Sequence, residues 1–229
     1  MPNFDRSLAK VINLLADLAV FDHLDFDQFL KGLIKIILEI VSVDSCLLYF
    51  YDREKKQLIL VGSKKPHTQN IGNIILKKGE GVTGWAVEHK QAVVLKKQAY
   101  LDPRFKAFKE LPEDKYESFL TVPIIDRSGV VGVINLQNKE PYEFSKVEID
   151  TIESLVKIVS SAFIKVVLDR KVNNLEGKLE ERKTVEKAKG ILMKQKNMTE
   201  QEAYSYIRKE AMTKRKRMKE IALAILLVF

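Results

Sequence analysis

Five of the six residues from Lys214 to Lys219 are cationic: Lys214, Arg215, Lys216, Arg217 and Lys219. Ammonium and guanidinium groups at that density are suited to neutralising phosphates. Lys189, Lys194, Lys196, Arg208 and Lys209 extend the set upstream. Residues 182–229 hold 13 Lys+Arg against 5 Asp+Glu, whereas residues 1–181 hold 26 of each, so the whole formal charge of +8 lies in the C-terminal stretch. A neutral body with a basic folded end points to a polyanionic partner for that end. The competing reading is a solvated charged face. Tyr204 and Arg208 stand one helical turn apart and offer a ring and a guanidinium plane to unstacked bases. Alternatively, Tyr204 packs at a helix edge.

Other chemistries find less support. Cys46 is the single cysteine, within the apolar run SCLLYFY. It excludes an intramolecular disulfide and a multi-thiolate metal or iron–sulfur site, and it reads as a small buried hydrophobe. His23, His67 and His89 are isolated and read as surface residues, not metal or haem ligands. No nucleophile–base pair is evident, so the chain is read as a non-enzyme. The glycines of Gly79-Glu-Gly81-Val-Thr-Gly84 lack the preceding strand and βαβ frame of a dinucleotide fingerprint. No apolar run reaches the roughly 18–20 residues of a membrane span, and the first residues lack a signal-peptide core. A cytoplasmic location is the expectation.

Periodicity supplies the elements that must position these residues. Apolar residues at helical spacing predict amphipathic helices over Asp5–Phe21 and Leu24–Val41. Strand patterns follow at Cys46–Tyr51, Gln57–Gly62, Ala92–Leu95, Phe119–Ile125 and Val130–Gln137. The last two flank the turn sequence Asp126-Arg-Ser-Gly129. A closing helix starts near Ser145, with Glu148 at capping-box spacing. Its pattern continues as Leu168, Val172, Leu175 and Leu179, spaced 4, 3, 4 like a coiled-coil seam. Three short helices then follow. The first spans Arg182 to Lys196 and stops at Asn197. The second opens on the capping box Thr199-Glu-Gln-Glu202. The third shows an apolar stripe from Met218 to Leu226. Helices, antiparallel strands and a closing helix make an α+β domain, followed by a stalk and an all-α tail. The expected limits are 1–165, 166–181 and 182–229.

Residues 24–165 resemble a GAF domain. The resemblance rests on Gly79-Glu-Gly81-Val-Thr-Gly84-Trp-Ala86, Tyr100-Leu-Asp102-Pro103-Arg-Phe105, Ser118-Phe-Leu-Thr-Val-Pro123, Gly129-Val-Val-Gly132-Val-Ile-Asn135-Leu and Phe144-Ser. Asn138-Lys139 with Phe144 and Glu148 partly resembles the motif of cyclic-nucleotide members, but Ile149 stands where a second acid is expected. Residues 180–229 resemble an ANTAR domain, on Ala188-Lys189-Gly190-Ile191-Leu192-Met193, Thr199-Glu-Gln-Glu202-Ala203-Tyr204, Arg208-Lys-Glu-Ala211-Met212 and Ile221-Ala222 through Ile225-Leu226. Lys216 replaces the Arg usual there, keeping the charge but losing bidentate hydrogen bonding.

The resemblance implies a signal-responsive RNA-binding regulator. Its tail would hold paired hairpins of nascent RNA and promote transcription antitermination, through Lys189, Lys194, Lys196, Tyr204, Arg208, Lys209, Lys214, Arg215, Lys216, Arg217 and Lys219. Paired hairpins suit a homodimer joined at the seam. The GAF sheet would take an unidentified small-molecule effector near Phe50, Trp85, Tyr100, Phe105, Phe119 and Thr121, residues that read equally well as core. No cofactor or metal is assigned, and no membrane partner. Ligand binding is expected to act through the helix from Ser145 to Leu179 on the pairing of the tails. The alternatives are a DNA-binding regulator with a sensor domain and an adaptor whose tail contacts protein.

Overall fold

The computed structural model describes residues 12–16, 26–64, 71–105 and 115–228. The chain divides into two compact units, Met1–Val167 and Leu168–Phe229. The helix expected over Asp5–Phe21 lies outside the described residues except for 12–16, which are helical.

In the first unit, helix α1 (Phe26–Ile40) buries Phe26, Phe29, Leu30, Leu33, Ile34, Ile36 and Ile37 along one flank, as its spacing predicts. Six strands follow: β1 (Ser45–Asp52), β2 (Gln57–Ser63), β3 (Ile75–Lys77), β4 (Val93–Leu95), β5 (Ser118–Asp126) and β6 (Gly129–Asn138). They form one sheet in the order β3-β2-β1-β6-β5-β4, and every pairing is antiparallel. The expected strands are all present. Strand β3 is an addition, with no counterpart among the expected strands. Only Leu76 of its three residues is buried, too short an alternation to register in sequence. The β5–β6 turn forms where predicted, with Gly129 at φ +115° and the Ser128 N–H donating to Asp126 Oδ1 at 2.8 Å.

Alternation along the strands sorts the sheet into two faces. Cys46, Leu48, Leu120, Val122, Ile124, Ile134 and Leu136 pack with α1 and with Ile152, Val156, Val159 and Phe163 of the closing helix. Leu47, Tyr49, Leu58, Leu60 and Val133 face the other way and pack with Val87 of the short helix α2 (Gly81–His89). A Cβ on Gly132 would lie 2.5 Å from the Tyr49 carbonyl oxygen and 2.7 Å from Phe163, so only glycine lets that ring seat on the sheet.

Helix α3 runs unbroken from Lys146 to Lys196. Its start is the expected capping box: the Glu148 N–H donates to Ser145 Oγ (3.2 Å) and the Ser145 N–H to Glu148 Oε2 (2.7 Å). The sequence suggests a closing helix, a stalk and a separate tail helix from Arg182. The structure makes them one element. Gly177 and the paired asparagines weaken helix by only about 1 kcal/mol each at most, and packed residues lie on both sides of them. Asn197, at φ +55°, ends α3 as expected.

In the second unit, α4 (Glu200–Lys214) opens on the predicted capping box of Thr199 and Glu202, and α5 (Met218–Val228) follows. Val185, Ala188 and Leu192 of α3 close a core with Ala203, Ile207 and Ala211 of α4 and Ile221, Ala222 and Ile225 of α5.

Candidate nucleic-acid interface and sensor face

The corner between α4 and α5 carries the densest charge. Lys214 is the last residue of α4, where a cation interacts favourably with the helix dipole. It pairs with Glu210 at 2.8 Å, which raises the Lys214 pKa. Arg215 caps the helix in the left-handed region, at φ 52° and ψ 39°. The Lys216 N–H donates to the Ala211 carbonyl at 2.9 Å, closing the turn. Arg217 precedes α5, and its N–H donates to Glu220 Oε2 at 2.9 Å. A run of cations gathered at the start of one helix would oppose its dipole. The structure instead splits it across the corner, and Glu220 in the first turn of α5 offsets what remains.

Residues 214–217 are exposed and Lys219 is half-buried. Arg208 and Lys209 are exposed on α4, and Lys194 and Lys196 on α3. Lys196 Nζ lies 5.0 Å from the Tyr206 ring centroid. Tyr204 is 42% exposed, leaving its ring accessible one turn from Arg208. Among the described residues, Arg208, Lys209, Arg215, Lys216 and Arg217 make no salt bridge to a carboxylate.

Lys189 requires correction. Its side chain is only 8% exposed, and its ammonium is held by Glu186 at 2.9 Å and Glu200 at 2.8 Å. Those carboxylates, Glu186 first, raise its pKa. The charge joins α3 to the start of α4 and is not presented to an outside polyanion. Glu186 stands three residues from Lys189 on the same helix, but Glu200 comes into reach only through the α3–α4 turn.

In the first unit, Gly81 opens α2 at φ +69°, and a Cβ on Gly84 would meet the Lys77 carbonyl oxygen at 2.6 Å. These two glycines let α2 lie close against β3. Trp85 of α2 stacks on His89, with centroids 4.0 Å apart and planes 15° from parallel. The Arg104 guanidinium lies 4.8 Å from the Trp85 centroid. Asp102 holds Arg104 with two bonds, Nε to Oδ1 and Nη2 to Oδ2, each 2.8 Å. The Arg104 hydrogen bond depresses the Asp102 pKa. Phe105 and Tyr116 meet Phe119 edge-on at 6.1 and 6.2 Å. Tyr100 sits exposed on the turn Ala99–Leu101.

Phe119 and Thr121 lie on the α2 side of the sheet, opposite Gln137 and Asn135. Phe50 does not join them. It packs with the α1 and α3 layer, because an even position on β1 points away from odd-numbered Leu47 and Tyr49. Sequence reasoning also missed Thr83 and Asn135. The Asn135 Nδ2 donates to Thr83 Oγ1 at 2.6 Å, tying the sheet to α2. The available signal was a pair of carboxamides, Asn135 and Gln137, two apart in the otherwise apolar Val130–Gln137. Cys46 is buried on the opposite face, and burial pushes its thiol up to about 12.

A model of the GAF domain matches residues 23–163, and a model of the ANTAR domain matches residues 173–226. Among curated proteins, the nitrate regulatory protein of Klebsiella oxytoca is 48% identical over 61 residues, 27% of this chain and 15% of that protein. The transcriptional regulatory protein PdtaR of Mycobacterium tuberculosis is 38% identical over 72 residues, 31% of this chain and 35% of that protein. The matches thus span well under half the length of these relatives. Among solved structures, the GAF domain of an Acinetobacter phosphoenolpyruvate-protein phosphotransferase superposes with a TM-score of 0.62 at 22% identity, covering 70% of this chain and 94% of that one. The free methionine-R-sulfoxide reductase of Neisseria meningitidis gives 0.57 at 18%, covering 69% and 89%. At such identities the likeness is one of fold. Among the described residues no helix is long and apolar enough to cross a membrane.

Proposed function

Because the chain belongs to the GAF domain family and carries an ANTAR domain after it, we propose that this transcriptional regulator acts by binding RNA. The second unit grips paired stem-loops of a nascent transcript and promotes antitermination. The observation that carries this reading is the set of exposed cations without salt-bridge partners, Arg208, Lys209, Arg215, Lys216 and Arg217, on α4 and its corner with α5. Such groups release counterions from phosphates, and Tyr204 beside Arg208 can stack on loop bases. Lys194, Lys196, Lys214 and Lys219 add long-range attraction.

A second copy pairs along α3. Leu168, Val172, Leu175 and Leu179 are 43–57% exposed in one row at heptad spacing, and four such side chains on a solvated helix are a seam without its partner in the monomer. The first unit is the sensor and takes a small-molecule effector on the α2 side of the sheet, near Trp85, Phe105, Phe119, Thr121 and Tyr100. Helix α3 takes part in both cores, so its residues are the route for the sensor's state. The protein works in the cytoplasm as a binding protein, not an enzyme. The thiolate that redox chemistry would need is suppressed at buried Cys46.

Binding to a paired stem-loop RNA and to duplex DNA, compared at equal salt, tests the reading. RNA affinity should fall steeply with ionic strength. Replacing Lys214 to Arg217 with alanine should cost about one to several kcal/mol in total. Tighter duplex binding would favour a DNA-binding regulator. Affinity unchanged by the alanines would point to the wrong surface.

A further inference from the structure

The α2 face of the sheet carries a short polar row inside an apolar layer. Ser45 pairs with Gln137 across β1 and β6, and Asn135 pairs with Thr121 across β6 and β5. Directly opposed residues share a face, and the Asn135–Thr83 bond fixes that face as the one toward α2. Ser45 and Thr121 are 0% exposed, Asn135 2% and Gln137 5%. Ser45 Oγ, Thr121 Oγ1, Asn135 Oδ1 and Gln137 Oε1 each lack a hydrogen-bond partner among the described residues.

A buried polar atom left unpaired costs about 1–3 kcal/mol, and four neighbours on three strands are a large burden for one domain. Valine, alanine or leucine at these positions would remove it, so stability of the empty fold does not account for the row. A ligand that pairs with it does. Asn135 Oδ1 and Gln137 Oε1 can only accept, and the Ser45 and Thr121 hydroxyls accept or donate, so the two carboxamide oxygens call for N–H or O–H donors on the ligand. Asp52 is the single charged residue buried among the described residues of the first unit, and its carboxylate accepts the Lys55 N–H in the β1–β2 turn. Among the described residues, an anion placed over Asn135 would therefore meet no buried counter-charge, which costs several kcal/mol.

We propose that this row is the recognition element of the sensor and that it selects a small uncharged ligand rich in hydrogen-bond donors, of the amide, ureide or lactam class, over carboxylates and phosphates. The proposal rests on the sensor reading above and adds the ligand's chemistry. Asn135 also bonds Thr83, so the ligand competes for or reinforces the link that holds α2 on the sheet.

The test uses the full chain and matched probe pairs: nicotinamide with nicotinate, uracil with orotate, benzamide with benzoate. Thermal unfolding and isothermal titration report binding. The neutral member of at least one pair should raise the unfolding temperature, and its anion should not. Thr121→Val should raise the unfolding temperature of the ligand-free protein while weakening the neutral probe roughly tenfold, the value of one hydrogen bond. Ser45→Ala, which removes a hydroxyl and little else, provides a second variant should Thr121→Val fold poorly. Equal or tighter binding of the anions overturns the proposal and leaves the sensor reading standing. So does neutral-probe affinity unchanged in both variants. If no probe of either charge binds, the sensor role of this face is rejected and the proposal with it, while the RNA-binding reading of the second unit is unaffected.

Discussion

Arg215 adopts φ 52° and ψ 39° at the end of α4. In the left-handed region a side chain crowds the following carbonyl, and the penalty is roughly 1–2 kcal/mol for an ordinary L residue. Glycine is the common occupant of this position because it escapes that penalty. The same conformation at the end of α3 is occupied by Asn197, at φ 55°, a residue type that tolerates it. Arginine has no such tolerance, so its presence at the corner is a cost to the fold. Arg215→Gly should therefore stabilise the protein by about 1 kcal/mol, glycine's larger backbone entropy loss offsetting part of the relief. In a chain of this size that is roughly 2–4 °C in Tm. The same change removes a cation from the proposed RNA surface. Affinity for a stem-loop should fall and the slope of log K against log salt should drop by about one. Asn197→Gly serves as the control and should shift Tm by only a small fraction of this. Chemical denaturation and filter binding across a salt series measure both effects. A less stable Arg215→Gly protein would refute the strain argument. Unchanged RNA affinity and salt slope would refute the placement of the interface.

Three further outcomes are expected. Asp102 has its carboxyl held below its ordinary 3.8 by Arg104, so its bond is intact at neutral pH and above 3.8, and is lost as pH falls through the lowered folded value. Trp85, the one tryptophan of the chain, should report that loss as a change in emission in acid, and Asp102→Asn should reproduce the change at pH 7; identical emission in the variant would count against the Arg104–Trp85 contact. Lys189→Met should leave stem-loop affinity within about twofold while lowering the unfolding temperature, since it deletes a charge-assisted link between α3 and α4; a large drop in affinity with the unfolding temperature intact would restore Lys189 to the interface. A Cβ on Gly177 would meet nothing within 4 Å, so Gly177→Ala should stabilise α3 by about 1 kcal/mol, seen as a higher unfolding temperature, and a decrease would mean that a partner packs against that position.

Much of this architecture is legible in the sequence. Both capping boxes, at Ser145 and Thr199, formed as their spacing predicts, because the bonds involved join residues three apart. Asn197 stopped α3 for an equally local reason. The apolar stripes of α1 and α5 needed only the helical period. The sorting of the sensor residues was different. Phe50 and Thr121 read alike as strand residues near a face, yet they ended on opposite sides of the sheet.

By itself the sequence determined the partition of charge, the periods of helix and strand, and the element ends, since each depends on residues within a turn or two. Only the tertiary structure decided which strand face lies under α2, because parity along a strand acquires meaning once a helix covers one side. It also decided which lysines are available. Lys189 and Lys194 are equal in composition, but folding brings Glu200 within 2.8 Å of Lys189 and leaves Lys194 exposed to solvent.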